Sequence, residues 1–198
     1  MNHIDPRSAL DQLQDKLQKK VQKKISILLL RFPGPGPQTF SLWTRFRYTH
    51  ASIGLMEEDK NTFYSFANTG FRVEKLTRYI RPDWKPLPCQ LYEIPVSEDA
   101  YERIQAILQS FVERKPNLQY SKLGVLMVML QIPHKWKNRY FCSQFVAEVL
   151  REARAVPLKK DPSLYVPKDF IYLPQKELVF QGTLPDMVDS FGISAAAN

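Results

Sequence analysis

Residues 140–150 constrain this chain most, because they place a cysteine at the start of an apolar helix. After Cys142 the apolar residues fall at helical spacing: Phe145, Val146, Val149 and Leu150. Cys142 is therefore predicted on the first turn of a buried helix. A helix N-terminus has unpaired N–H groups and partial positive charge, which stabilise a thiolate and can bind an oxyanion. Because a lone helical cysteine is more often an inert core residue, a second feature must decide.

Residues 48–56 supply that second feature. They predict a β-strand with an apolar face formed by Ala51, Ile53 and Leu55. The opposite face carries hydroxyl and imidazole groups: Tyr48, His50 and Ser52. Residues 62–68 predict a further strand, paired antiparallel with the first as a hairpin. A histidine on a polar strand face is a candidate general base for Cys142.

The two stretches together resemble one family. Tyr-Thr-His-Ala-Ser-Ile-Gly-Leu at residues 48–55 and Tyr-Phe-Cys-Ser-Gln-Phe-Val-Ala at residues 140–147 are similar to the circularly permuted NlpC-type branch of the papain-like cysteine peptidases. That branch includes bacterial YiiX-like proteins, and its histidine precedes its cysteine. Tyr64-Ser65-Phe66 and the segments at residues 160–164 and 167–170 resemble a bacterial subset of it. The resemblance covers roughly residues 25 to 185.

The resemblance implies an α+β fold of the papain-like NlpC type, with an antiparallel sheet packed against the cysteine helix. It implies Cys142 as the nucleophile and His50 as its general base and later acid. Relatives carry a third, polar residue on the strand after the histidine strand, which here matches Ser65 most naturally. A serine hydroxyl holds no charge, so it would stabilise a protonated imidazole less than a carboxylate does.

Three further positions remain open under this resemblance. Tyr64 and Asn68 are alternatives to Ser65 for the third residue. Tyr48, two residues before His50, is a candidate oxyanion or substrate contact.

The rest of the chain predicts three regions. Residues 1–24 form a basic amphipathic helix, residues 25–185 the catalytic domain, and residues 186–198 a flexible tail. Within the domain we expect strands at 25–32, 89–96 and around 179–182, and helices at about 40–47, 98–114 and 123–130. Ser97 is the predicted N-cap of the second helix. Residues 33–37 and 71–88 are predicted to be irregular, and the apolar helix at 123–130 is assigned to the core rather than to a substrate pocket or lipid.

Charge and cysteine content limit the partners. The formal net charge is +8, and much of it lies in five lysines of the N-terminal segment: Lys16, Lys19, Lys20, Lys23 and Lys24. A solvated helix face explains this cluster, and weak contact with an anionic membrane is the alternative. No nucleic-acid-binding motif accompanies the charge, so no nucleic acid is expected. Two cysteines without paired His/Cys spacing give no disulfide framework or zinc site, and no cofactor is expected.

These features lead to one functional expectation and two alternatives. We expect a thiol hydrolase, a peptidase or amidase, that cleaves an amide bond in a peptide or acyl-containing substrate through a cysteine acyl-enzyme. A lipid-directed acyltransferase or lipase of the same fold is the first alternative. The second is a non-catalytic binding protein that retains the fold. The polar N-terminus lacks the apolar core of a signal peptide, so a cytoplasmic location is expected.

Overall fold

A computed structural model describes residues 23–193 of the chain. It contains eight strands: β1 (Lys23–Leu30), β2 (His50–Gly54), β3 (Thr62–Ala67), β4 (Gly70–Lys75), β5 (Pro88–Val96), β6 (Gln119–Tyr120), β7 (Arg139–Tyr140) and β8 (Glu177–Thr183). Five α-helices accompany them: α1 (Pro35–Thr44), α2 (Glu98–Glu113), α3 (Lys122–Met129), α4 (Cys142–Glu152) and α5 (Leu184–Ser190). The fold is α+β, as predicted.

Six strands form one antiparallel sheet in the order β4-β3-β2-β1-β5-β8. The predicted hairpin is confirmed, since Ile53 of β2 pairs with Tyr64 of β3. Pairing between these two strands is confined to Ile53↔Tyr64 and Gly54↔Phe63, so the strands diverge toward His50. The predicted last strand lies at the sheet edge, where β8 pairs with β5.

The sheet is covered on both faces, which explains the nearly continuous apolar sequence of β1. Ile27 and Leu29 face a core shared with α2 and α4, and Leu28 and Leu30 face a second core shared with α5. Aromatic rings hold α2 and α4 to the first face: the ring centroids of Phe111 and Phe145 lie 4.9 Å apart. The antiparallel sheet therefore packs directly against the helix that begins at Cys142.

Several elements form as the sequence predicts. Helix α2 begins after Ser97, whose hydroxyl accepts a hydrogen bond from the Ala100 N–H at 3.2 Å. Helix α4 begins at Cys142. Helix α3 also forms, but its assignment to the core is wrong: Leu123, Leu126 and Leu130 are 49 %, 48 % and 57 % exposed. Only Gly124 and Val128 of α3 are buried, so this helix presents an apolar face to solvent.

Two irregular segments of the prediction are regular in the structure. Helix α1 begins at Pro35, inside the proline- and glycine-rich segment, because a proline in the first turn needs no N–H partner. Strand β4 occupies residues 70–75, which were predicted as loop. The Thr69-Gly70 turn reverses the chain and returns it along β3.

The predicted boundaries at both ends also shift. Lys23 and Lys24 belong to β1 rather than to the N-terminal helix, and the rest of that predicted helix lies outside the described residues. The predicted tail starts inside α5, where Met187 and Val188 are buried, so the packed fold extends at least to Ile193. The last five residues lie outside the described part. Within residues 23–193, no helix is both long and apolar enough to cross a membrane.

Gly70 is essential to the β3–β4 turn. Its φ is +97°, and an added Cβ would lie against the Leu118 carbonyl oxygen. We expect Gly70→Ala to lower the free energy of unfolding by at least about 1–2 kcal/mol in urea denaturation. Gly36→Ala is the matched control, because a Cβ there meets no atom within 4 Å and the helical backbone favours alanine. Equal stability of Gly70→Ala and wild type would show that this turn tolerates a side chain.

Candidate active site

Cys142 is the first residue of α4. Phe141 precedes it in extended conformation, and no side chain caps the helix, so the first backbone N–H groups remain available. The Ser143 hydroxyl donates to the Tyr165 carbonyl at 2.8 Å and fixes the first turn against the following loop. Backbone N–H groups of Ser143 and of Ala51 on β2 lie near enough to the Cys142 sulfur to lower its pKa. The helix N-terminus thus lies near the start of β2, at the end where β2 does not pair with β3.

His50 begins β2 and lies between Cys142 and a carboxylate. Its Nε2 atom is 3.6 Å from Oε2 of Glu74, longer than a standard hydrogen bond, and the Cys142 thiol lies near enough to raise the pKa of the imidazole. Because Nε2 faces Glu74, Nδ1 is the nitrogen left for Cys142. The ring of Phe32 packs edge-on against the imidazole, with 5.2 Å between centroids. The imidazole is thus fixed by packing as well as by charge.

Glu74 comes from β4 and reaches His50 past β3. It pairs with Phe63 in the β3–β4 ladder, so it shares a sheet face with Ser65, two residues farther along β3. Ser65 is fully buried, and within residues 23–193 its Oγ and Oε1 of Glu74 have no hydrogen-bond partner of standard geometry. The Ser65 and Tyr79 hydroxyls are nonetheless near enough to lower the pKa of Glu74. Ser65 therefore supports the carboxylate.

The three groups shift one another's pKa values. Burial alone would lower the pKa of His50, but the charge of Glu74 and the contact with Cys142 raise it to about 10. Burial would raise the pKa of Cys142, yet His50 and the two backbone N–H groups bring it below its ordinary value. Burial would also raise the pKa of Glu74, and His50 holds it low instead. These directions favour a thiolate, an imidazolium and a carboxylate.

Cys142 opens onto a cleft with two adjoining pockets of about 330 and 540 Å³. Both pockets are lined by Cys142, Thr49, Asn68 and Tyr120, and the larger also contains His50 and Glu74. The smaller pocket is more apolar, with walls from three elements: Phe40, Val125 and Phe141. A substrate can therefore approach Cys142 although its side chain is largely buried.

Tyr120 is a site residue that the sequence reasoning missed. It ends β6 and lines both pockets, and burial together with the negative charge of Cys142 raises its pKa. Its hydroxyl therefore remains protonated and can donate a hydrogen bond beside the thiolate. The parallel pairing of β6 with β7, directly before Cys142, places it there. Because this β6–β7 pairing joins residues that are distant in sequence, no local sequence pattern predicts it.

The predicted site residues separate into two groups. The structure brings Cys142 and His50 together, and places Ser65 on β3, the strand between those that carry Glu74 and His50. Tyr48, in contrast, is 2 % exposed, packs on Phe46 and directs its hydroxyl to the Cys89 carbonyl at 3.5 Å. It does not line either pocket, so this placement does not support a substrate contact.

The two alternative third residues have different surroundings. Tyr64 stacks on Phe71 in the first core. Asn68 is exposed and lines the larger pocket together with His50.

Glu74 is the other residue that sequence reasoning missed. A signal was present: Phe71 and Val73 alternate with Arg72 and Glu74 directly after a Thr-Gly turn, which is typical of the second strand of a hairpin.

Among the described residues no group of three His, Cys, Asp or Glu side chains could hold a metal ion. No protein-family model matches the chain, and no curated protein is significantly similar to it.

Proposed function

We propose that this protein is a cysteine hydrolase that cleaves an amide bond through an acyl-enzyme, with Cys142, His50 and Glu74 as its catalytic triad. The observation that carries the proposal is the imidazole of His50 held between the Cys142 thiol and the Glu74 carboxylate. A cysteine thiol paired with an imidazole supplies a thiolate at neutral pH, where an ordinary thiol is only a few per cent ionised. The substrate is a peptide or another acyl-containing compound.

The reaction would proceed in two stages. The Cys142 thiolate attacks the carbonyl carbon, and the electron pair of the C=O bond moves to oxygen. When this tetrahedral intermediate collapses, the C–N bond breaks and the His50 imidazolium gives its proton to the leaving amine. His50 then takes a proton from water, and the resulting hydroxide attacks the thioester carbonyl. Collapse of this second intermediate breaks the C–S bond, releases the acid and restores the Cys142 thiolate beside the His50 imidazolium. Glu74 stabilises the imidazolium at each stage in which it is charged.

Two kinds of donor can stabilise the oxyanion. The Cys142 backbone N–H at the start of α4 is one, and the Tyr120 hydroxyl is the other. We expect Tyr120→Phe to slow hydrolysis by about tenfold to a hundredfold, with little change in substrate binding, because the oxyanion forms only after attack. Steady-state kinetics of 4-nitrophenyl acetate hydrolysis measure this, with Tyr92→Phe on β5 as the matched control. An unchanged kcat in Tyr120→Phe would exclude its role as an oxyanion donor.

The proposed architecture is the circularly permuted papain-like fold of the NlpC type. Three features support it: the histidine strand precedes the cysteine helix, the sheet is antiparallel, and the cysteine opens a helix packed on that sheet. The carboxylate of Glu74, on β4, completes the proposed catalytic triad. The proposed fold is therefore supported by both the sequence resemblance and the geometry of the site.

One observation favours acyl transfer from a lipid as a second candidate. The exposed leucines of α3 lie on the helix that also supplies Val125 to the apolar pocket beside Cys142. A lipid-directed enzyme would use this face at a membrane surface, and the basic N-terminal segment would add attraction to anionic lipid. Co-sedimentation with phosphatidylglycerol vesicles at low salt tests it, and the second candidate fails if the protein stays in the supernatant.

The experiment that tests the main proposal is capture of the acyl-enzyme. The protein is mixed with 4-nitrophenyl acetate and quenched in acid, and its peptides are analysed by mass spectrometry. Acetylation is expected at Cys142 and should disappear in His50→Ala, whereas Cys89 should remain unmodified because it is fully buried. Equal acetylation in wild type and His50→Ala would contradict the proposed base.

A further inference from the structure

A second groove, of about 490 Å³, lies on the other side of α1 from the catalytic cleft. Three arginines line it: Arg31 after β1, and Arg45 and Arg47 after α1. Hydrogen-bonding groups of Gln38, Ser41 and Thr49 line it as well, and no acidic residue does.

The three guanidinium groups have no carboxylate partner in the part of the chain that the structure describes. Some other exposed cations of residues 23–193 do pair, as Arg103 does with Asp99 and Lys75 with Asp59. Three like charges around one concave surface repel one another, and an anion bound between them would remove that repulsion. Guanidinium groups suit this task because their planar N–H donors match the oxygens of a phosphate.

The backbone holds two of these arginines in place. Arg45 adopts the left-handed conformation that ends α1, with φ of 49°, and the Phe46 N–H donates back to the Ser41 carbonyl at 3.1 Å. The Arg47 guanidinium lies over the ring of buried Tyr48, 5.5 Å from its centroid. Both arginines thus come from the single turn after α1 and line the groove together.

The groove and the catalytic cleft share a thin wall. Phe32, Pro37 and Thr49 line both, and Phe32 packs against the imidazole of His50. The Phe32 N–H donates to the Thr49 hydroxyl at 3.3 Å, which ties the ends of β1 and β2 together at this wall. An anionic group bound in the groove would lie one side chain away from the catalytic histidine.

We propose that this arginine groove binds a phosphate group, and that it serves as the subsite for a phosphate-bearing part of the substrate cleaved at Cys142. The role as a substrate subsite rests on the proposed function, whereas phosphate binding by the groove does not. The phosphate can belong to a soluble compound or to a lipid headgroup, since both present the same oxygens to the arginines.

Calorimetric titration with inorganic pyrophosphate tests the groove. We expect wild type to bind it, Arg45→Gln/Arg47→Gln to bind at least about tenfold more weakly, and binding to weaken as salt is added. Arg78→Gln/Arg81→Gln is the matched control: it removes the same charge from exposed arginines outside the groove and should bind as wild type does. Circular dichroism confirms folding of each variant. No binding by wild type, or equal loss in both double variants, overturns the proposal.

Two further measurements are made. The first identifies the source of the phosphate, and the second tests the groove separately from the proposed function. Phosphatidylcholine vesicles with and without phosphatidic acid are sedimented with each variant. Binding that needs both phosphatidic acid and Arg45/Arg47 identifies a lipid headgroup, and pyrophosphate binding without vesicle binding identifies a soluble phosphate. Alkylation of Cys142 is measured on the same samples. An unreactive Cys142 with intact pyrophosphate binding defeats the proposed function alone, and a reactive Cys142 without pyrophosphate binding defeats the groove alone.

Discussion

Cys142→Ser is expected to slow formation of the acyl-enzyme by about 10⁴-fold or more, as loss of a nucleophile does in enzymes of this type. A serine hydroxyl ionises far less readily than a thiol, and the imidazole that lowers the pKa of Cys142 cannot supply an equivalent alkoxide. The measurement is stopped-flow release of 4-nitrophenolate from 4-nitrophenyl acetate, in which wild type should show a burst equal to the enzyme concentration.

Cys89→Ala is the matched control for this variant. Cys89 is the other cysteine of the chain, and it lies fully buried in the second core. Its removal should leave the burst unchanged apart from a modest loss of stability. A burst that persists in Cys142→Ser, or disappears in Cys89→Ala, would contradict the assignment of the nucleophile.

Glu74→Gln is expected to lower the rate of acyl-enzyme formation by about 10²- to 10³-fold. Glutamine keeps the shape of the side chain but removes the charge that faces His50 at 3.6 Å. The pKa of His50 should then fall and that of Cys142 should rise, because each is held by the charge of its neighbour. The acid limb of the pH–rate profile should therefore move to higher pH, a shift that simple unfolding would not produce.

Ser65→Ala is the informative comparison for Glu74→Gln. The sequence resemblance favours Ser65 as the third catalytic residue, whereas the structure places its hydroxyl beside the Glu74 carboxylate. We expect Ser65→Ala to reduce the rate by less than about tenfold, because it removes a polar group near Glu74 and no charge. A larger loss in Ser65→Ala than in Glu74→Gln would restore Ser65 as the residue that orients the imidazole.

Local patterns predicted most of the elements that carry the site. Helix α4 follows from the spacing of its apolar residues, and β2 follows from the alternation around His50, so the two central residues could be named from sequence. Glu74 could not be named, because its role depends on the β3–β4 register and on a carboxylate reaching the imidazole past Ser65. Tyr120 could not be predicted as a site residue for a similar reason, because a two-residue parallel pairing brings it to the cleft.

The exposed face of α3 shows that hydrophobicity alone does not predict burial. Its sequence is apolar enough to predict burial, yet only Gly124 and Val128 of the helix are buried, and Val125 packs partly buried beside them. Hydrophobicity predicted the helix but not which partner covers it, and the described chain leaves its leucines in solvent. The irregularity predicted for residues 33–37 failed for a simpler reason, since prolines that break a helix interior are compatible with its first turn.

Glu74 also weakens the case for a non-catalytic binding protein. That alternative followed from a serine as the third residue, which could not balance a protonated imidazole. The buried carboxylate at His50 supplies the missing charge, and burying three ionisable groups together is costly unless they compensate one another. This arrangement supports the proposed hydrolase over that alternative.

The most direct test is the pH dependence of Cys142 alkylation by iodoacetamide, in wild type and in His50→Ala, with Cys89 as internal control. Wild-type Cys142 should react well below about pH 7, and the profile should move up toward the ordinary thiol pKa of about 8.5 once the imidazole is removed. Cys89 should stay inert, because burial raises its pKa to about 12. If Cys142 titrates as an ordinary thiol in both proteins, the thiolate–imidazolium pair is absent and the proposed function is wrong.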